Sequence, residues 1–222
     1  MADIVRNGIK YKINGKKVSV QGFENFDYPD VIIPEMIQGK PVTSIDSYAF
    51  ANTKIKTVCL PESLETIWGF AFTGCTELLE VFFIKSANKQ KAPCLRISHY
   101  AFLGCSKLNR VCGFNQSASI GEYCFSSCYN LEKVTLNIAE MDSHAFSHTK
   151  VKDLTFVHNI VLMKNCLNDS NIERLKFMGD GLLKESVLKH IKDNGLHILC
   201  DKNSNLADFV YEGYNVSLLG KI

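Results

Sequence analysis

Several things are scarce in this 222-residue chain, and each absence narrows its function. Net charge is nearly missing: 25 basic residues face 23 acidic ones, a formal balance of +2. A dedicated nucleic-acid binder usually carries a strongly basic face, so no nucleic-acid partner is expected. No apolar run approaches the length that crosses a bilayer, so no membrane insertion is expected. The opening, MADIVRNGIKYKING, puts charge and turn residues where a secretory leader needs an apolar core. The chain therefore reads as cytoplasmic, or as the mature part of an exported protein. There is no glycine-rich phosphate loop, no HExxH, no GxSxG and no compact carboxylate cluster. No enzyme activity and no cofactor are expected.

What is present is a core and a repeat. Apolar residues make up 46% of the chain, enough to fold without disulfides. The pattern Ile-x-x-x-Ala-Phe recurs as IDSYAF (45–50), IWGFAF (67–72), ISHYAF (97–102), IGEYCF (120–125) and MDSHAF (141–146). Degenerate copies follow at LMKNCL (162–167) and LKESVL (183–188). The closing residues, Phe50, Phe72, Phe102, Phe125, Phe146, Leu167 and Leu188, are spaced 22, 30, 23, 21, 21 and 21 residues apart. The one long spacing holds an insertion, 84–96.

Each unit carries a second apolar segment: TVCLP, EVFF, RVCGF, KVTL, DLTF and RLKF. Its period of two predicts a strand. A strand every 21 to 23 residues cannot pair as a hairpin, so successive strands lie parallel and a turn-rich return closes each coil. An earlier unit is disguised in DVIIPEMIQGKPVTSI (30–45), which aligns with TVCLPESLETI (57–67). Ahead of it, two strands flank Asn14-Gly15, a hairpin signal. After it all, LHILCDKNSNLADFVYEGYNVSLL (196–219) predicts strand, short helix (Ser204 to about Tyr211) and strand.

The unit Ile-Gly-x-x-x-Phe-x-x-Cys-x-x-Leu-x-x-Val, complete from Ile120 to Val134, resembles the BspA-type leucine-rich repeat. The resemblance runs over roughly residues 5 to 222. It implies a mainly β leucine-rich-repeat solenoid: a right-handed coil of about seven to eight repeats with a parallel concave sheet. The expected organisation is an N-terminal hairpin cap (1–29), the solenoid (30–195) and a C-terminal strand-helix-strand cap (196–222), all one structural domain. It further implies a secreted or cell-surface binding protein, often an adhesin, and it carries no catalytic residues. Function in such scaffolds lies in surface residues. An intracellular protein–protein interaction module is the alternative.

The nine cysteines fall into the repeat frame. Cys75, Cys105 and Cys128 stand three residues after the repeat Phe, where other units use Thr53, Thr149 and Ser170. Cys124 and Cys166 take alanine positions. Small size is the shared property, and buried free cysteine behaves as a small hydrophobe. Zinc needs four converging ligands and finds no second pair one coil away, so no metal is expected. Disulfides between Cys75 and Cys105 or Cys105 and Cys128 are within reach, but parallel side-chain directions disfavour the crossed geometry.

Strand alternation names the outward residues. An apolar strip of Ile32, Cys59, Phe82 and Cys112, flanked by Glu80 and Arg110 and continued by Lys133 and Thr135, is the candidate protein-binding surface. Phe82 is its expected anchor. Scattered surface apolar residues are the plainer reading. A second candidate row, two residues before the repeat Phe, is Tyr48, Phe70, Tyr100 and Tyr123, with His144 following. Such rings would contact a protein or a sugar, or simply shield the coil edge; nothing in the sequence supports a carbohydrate specifically. The insertion offers Lys85, Lys89, Lys91 and Arg96 as a basic contact loop.

Overall fold

The computed structural model describes residues 4–24, 29–84, 93–112, 117–135, 137–157 and 159–219. The chain winds as a mostly β solenoid of about seven turns. Each coil contributes two strands where the sequence pattern predicts one. The apolar-x-apolar segments form the front of each coil: Asp30–Ile32, Thr57–Pro61, Glu80–Ile84, Arg110–Cys112 and Lys133–Val134 pair side by side. Their register is in phase, with Val31 opposite Val58, Val58 opposite Val81, Val81 opposite Val111, and Val111 opposite Val134. Asp153–Phe156, Arg174–Phe177, His197–Asp201 and Val216–Leu219 form a second front sheet, also parallel. The front is therefore two sheets among the described residues, of five and four strands.

The return carries strands of its own. Lys40–Ile45, Thr66–Ile67, Leu95–Ile97, Ser117–Ile120, Asn137–Met141, Ile160–Leu162 and Gly181–Leu183 pair in parallel order in one long sheet. The first residue of each Ile-x-x-x-Ala-Phe copy ends its strand: Ile45, Ile67, Ile97, Ile120, Met141, Leu162 and Leu183. Short alternation, two to six residues long, was too brief a signal beside the turn residues that follow it. The hairpin Ile9–Asn14 and Lys17–Phe23 extends this sheet, its second strand parallel to Lys40–Ile45. A further strand, Ile4–Arg6, lies antiparallel on its outside.

Between the sheets sits one core. Phe50, Phe72, Phe102, Phe125 and Phe146 are fully buried and stack ring on ring, with centroids 4.9, 4.8, 5.2 and 5.3 Å apart. Phe23 of the hairpin caps the stack at 5.4 Å from Phe50. Close stacking demands close backbones: a Cβ on Gly121 would meet Ser98 and His99 backbone atoms at 2.7 Å, so this position takes only glycine at the observed spacing.

The C-terminal end departs from the repeat. LKESVL does not form another turn-rich return; Glu185–Asp193 is an α-helix. Val187 and Ile191, one turn apart, face the core, while Leu188, aligned with the repeat Phe, is only half-buried. The short helix of the closing segment is a 3-10 helix, Ala207–Glu212, set later than the expected span from Ser204. Asn205 closes the edge of the return sheet. Its Oδ1 accepts from the Gly181 N–H (3.1 Å) and its Nδ2 donates to the Gly181 carbonyl (3.1 Å), satisfying both groups as a neighbouring strand would.

Candidate functional site

The front strip is assembled by register. Ile32 lies opposite Cys59, Cys59 opposite Phe82, and Phe82 opposite Cys112, so four residues from four coils form one row. Ile32 is 64% exposed; Cys59, Phe82 and Cys112 are half-buried. Thr135 stands one residue beyond its strand, exposed, with its N–H donated to the Val111 carbonyl at 2.9 Å. Phe114 and Leu136, the last apolar positions of their segments, lie outside the described residues.

Beside that row runs a ladder of polar pairs. The Thr57 hydroxyl donates to Asp30 at 2.6 Å. Arg110 Nη2 lies 3.3 Å from Glu80 Oε1, and the guanidinium sits 5.3 Å from the centroid of the Phe82 ring. Arg174 grips Asp153 with two nitrogens, which holds that carboxyl below its ordinary range. His197 Nε2 is 2.8 Å from the Ser217 hydroxyl. Lys133 is exposed, and its ammonium has no hydrogen-bond or ion-pair partner among the described residues. Grooves of about 560 Å³ and about 1190 Å³ meet at Glu132 and Lys133, the second running on past Asp169 to His190.

The return-side row is a continuous stack. Tyr48, Phe70, Tyr100, Tyr123 and His144 lie 5.1, 5.0, 5.2 and 4.8 Å apart, nearly parallel throughout. His144 Nδ1 ends the stack 3.2 Å from Asp169 Oδ2. All five have left-handed backbones, with φ between 51 and 62°, as does Asn165 in the next coil. A bulky residue there is costly, about 1–2 kcal/mol. Ring pairs return about 0.5–1.5 kcal/mol each, so the stack offsets much of the turn's strain. Because the faces are covered, ring edges and hydroxyls meet solvent. Four positions further on, a second left-handed site takes Asn52, Gly74, Gly104, Ser127, His148 and Asp169; all but Ser127 are residue types that tolerate it best.

Three of the cysteines serve the corners. All nine are free. Cys75, Cys105 and Cys128 are fully buried, and their thiols donate to the carbonyls of Phe50, Phe72 and Phe102 at 3.0, 3.1 and 3.2 Å. Burial pushes the Cys105 and Cys124 thiols well up, and the Cys166 thiol to about 12, so these three are not ready nucleophiles. Among the described residues no three metal-ligating side chains converge. Of the insertion's basic residues, Lys85, Lys89 and Lys91 lie outside the described residues, and Arg96 sits in the return strand Leu95–Ile97. Trp68, which the repeat alignment does not single out, is 47% exposed on the return sheet.

The family model for the BspA type leucine rich repeat region matches in six copies over residues 7–95 and 89–185. The chain belongs to the BspA-type leucine-rich repeat family. Its members share a repeat scaffold of the kind used for binding proteins. No curated protein matches the chain. Among solved structures, the leucine-rich repeat protein of T. pallidum superposes with a TM-score of 0.59 at 20% identity, covering 99% of this chain and 100% of that one. A leucine rich cell surface protein from Faecalibacterium prausnitzii A2-165 gives 0.57 at 17% identity, covering 80% of this chain and 55% of that one. At these identities the likeness is one of fold. No helix among the described residues is long and apolar enough to cross a membrane.

Proposed function

We propose that this chain is a non-enzymatic binding scaffold that engages a protein partner, of host or adhesin type, through its N-terminal front sheet. One observation carries the reading: the in-register row Ile32, Cys59, Phe82 and Cys112, left partly in water, with Arg110 held by Glu80 over the Phe82 ring. An aromatic anchor beside a positioned arginine is the composition of interface hot spots. The row is continuous over four rigid strands, so a partner meets a preformed surface and spends little on ordering it. Glu80 and Arg110 orient the partner; Lys133 and Thr135 extend the surface C-terminally.

Surface display is the favoured setting, by family. The nine free cysteines favour a second reading, an interaction module in a reducing compartment, since exported proteins tend to pair theirs. A leader encoded upstream of Met1 would select the first setting; a purified chain with fewer than about seven free thiols would remove the second's support.

The test is a binding measurement. Immobilised chain captures partners, the strongest is identified, and its affinity is measured by calorimetry for wild type and for Phe82→Ala. Leu182→Ala, exposed on the opposite sheet, is the control. Phe82→Ala should weaken binding by about tenfold or more, corresponding to about 1.4 kcal/mol. Equal affinity in wild type and Phe82→Ala would refute the front-strip assignment.

A further inference from the structure

The single tryptophan of the chain stands where the repeat gives it no packing duty. Val20 is opposite Ile45, and Ile45 opposite Ile67. The residues that follow therefore share one row: Gln21 on its strand, with Asp46 and Trp68 each one residue past a strand end, their N–H groups donating to the Val20 and Ile45 carbonyls at 2.8 and 2.9 Å. Ser98 continues the row, since Ile67 is opposite Ile97. Two residues earlier on the same strands lie Ser44, Thr66 and Arg96. The Gln21 amide donates to the Asp46 carboxylate, fixing both planar groups in the row that leads to Trp68. On the other flank His99 lies over Gly69: a Cβ there would come 2.7 Å from His99 Nε2. The imidazole stands edge-on to both Phe70 and Tyr100, with ring centroids 5.5 and 5.8 Å away.

The surroundings of Trp68 decide between partners. A protein hot spot is a well-packed, desolvated pocket in the apolar centre of an interface. Both rows around Trp68 hold only hydroxyl, amide, carboxylate and guanidinium side chains. A pyranose ring has the complementary chemistry. Its C–H face packs on an aromatic ring, and its equatorial hydroxyls leave in the ring plane, where planar amides and carboxylates meet them. Strands about 4.8 Å apart repeat these polar groups on the scale of one sugar unit of an extended chain.

We propose that Trp68, with Asp46, Gln21 and His99, forms a glycan-binding platform on the return sheet, separate from the front strip. The indole supplies the stacking surface. Asp46 and Gln21 orient the sugar hydroxyls from the preceding coils, and His99 bounds the platform on the following one.

Tryptophan emission reports on Trp68 alone, so the full chain is titrated with cellohexaose, chitohexaose and maltohexaose. A saturable emission change is expected with at least one extended β-linked hexasaccharide, stronger than with helical maltohexaose. Calorimetry on folded variants, checked by circular dichroism, locates the site. Trp68→Ala should abolish the binding heat, Trp68→Tyr should retain affinity within about tenfold, and Asp46→Asn should weaken it, while Phe82→Ala leaves it unchanged. No saturable response to any of the three up to about 10 mM would overturn the proposal. So would undiminished binding by Trp68→Ala, or an emission change produced by a protein partner and by no sugar.

Discussion

Corners built on cysteine and corners built on threonine or serine occupy the same repeat position and bond in opposite directions. Cys75, Cys105 and Cys128 each donate to the Phe carbonyl of the preceding coil. Thr53, Thr149 and Ser170 donate to the carbonyl three residues back in their own coil, at 2.8, 2.9 and 2.6 Å. The cysteine units have one residue more before the next core position: Cys105 to Leu108, against Thr149 to Val151. The longer corner lets the side chain reach the preceding coil's carbonyl; the shorter one closes on its own, with Thr53 Oγ1 also 3.4 Å from Cys75 Sγ of the next coil. Three successive coils, ending at 75, 105 and 128, are thus tied thiol to carbonyl, and the same coils carry the central rings of the Phe stack. After Phe146 the stack ends, Leu167 takes its place, and the front continues as a separate sheet. The lesson is that a repeat protein can tie its coils unevenly while its period stays at 21 to 23 residues.

Substitutions on the two sides of that boundary sharpen the contrast. The largest effect is expected at Phe102, flanked by rings at 4.8 and 5.2 Å. Phe102→Ala should cost about 3–5 kcal/mol in a urea titration. Leu167→Ala, at the same repeat position without a ring stack, should cost less within the usual range of about 2–5 kcal/mol. Equal costs would mean that stacking adds nothing beyond burial.

Next comes the C-terminal edge. Asn205→Ala removes both bonds to Gly181 and should cost about 1 kcal/mol. Hydrogen exchange should show it first at Gly181–Leu183, leaving the Phe-stacked coils protected; a uniform loss of protection would show that the end is not independent.

Cys105→Ala and Thr149→Ala should each cost about 1 kcal/mol or less, but in different places. Removing the thiol should loosen the neighbouring coil around Phe72 as well as its own. Removing the hydroxyl should loosen only the corner at Phe146. Exchange maps of the two variants that coincide in reach would erase the distinction drawn above. A thiol reagent applied to native protein should label exposed Cys94 well before buried Cys75, Cys105, Cys124, Cys128 or Cys166.

The smallest effect is pH-dependent and belongs to the C-terminal region. Burial lowers the pKa of His190 below 6.5, partly offset by Asp193 and Asp169. The folded state then binds fewer protons than the unfolded one, so stability is complete above about pH 6.5 and declines as pH falls through the folded-state value. His190 is half-exposed, so the loss should be a few tenths of a kcal/mol after solvent screening. His190→Gln should flatten the slope of the urea midpoint between pH 7.5 and 5; an unchanged slope would assign it elsewhere.

Much of this architecture was legible in advance. Ile120, Phe125, Leu131 and Val134 read as one coil's inward set, and three of the four are fully buried, Val134 being half-buried. Cys124 reads as a small residue in an alanine position, and it is fully buried and free. The helix at Glu185–Asp193 was not legible, because LKESVL fits the repeat spacing and the helical pattern over the same six residues. The partner-binding strip was legible as a list of outward residues but not as a surface, since nothing local says that Arg110 turns to Glu80 and covers Phe82.

By itself, the amino-acid sequence determined the period, the inward residues and the demand for small side chains at the corners. These follow from local rules: alternation sets which side of a strand is buried, and recurrence sets the coil. Only the tertiary structure decided that the return carries a second sheet, that cysteine corners bond across coils, and that the ring row stacks on left-handed turns. Those features depend on which residues of neighbouring coils come opposite one another. Register is a collective property of the wound chain, set when the buried faces of all coils pack together, and no single repeat contains it.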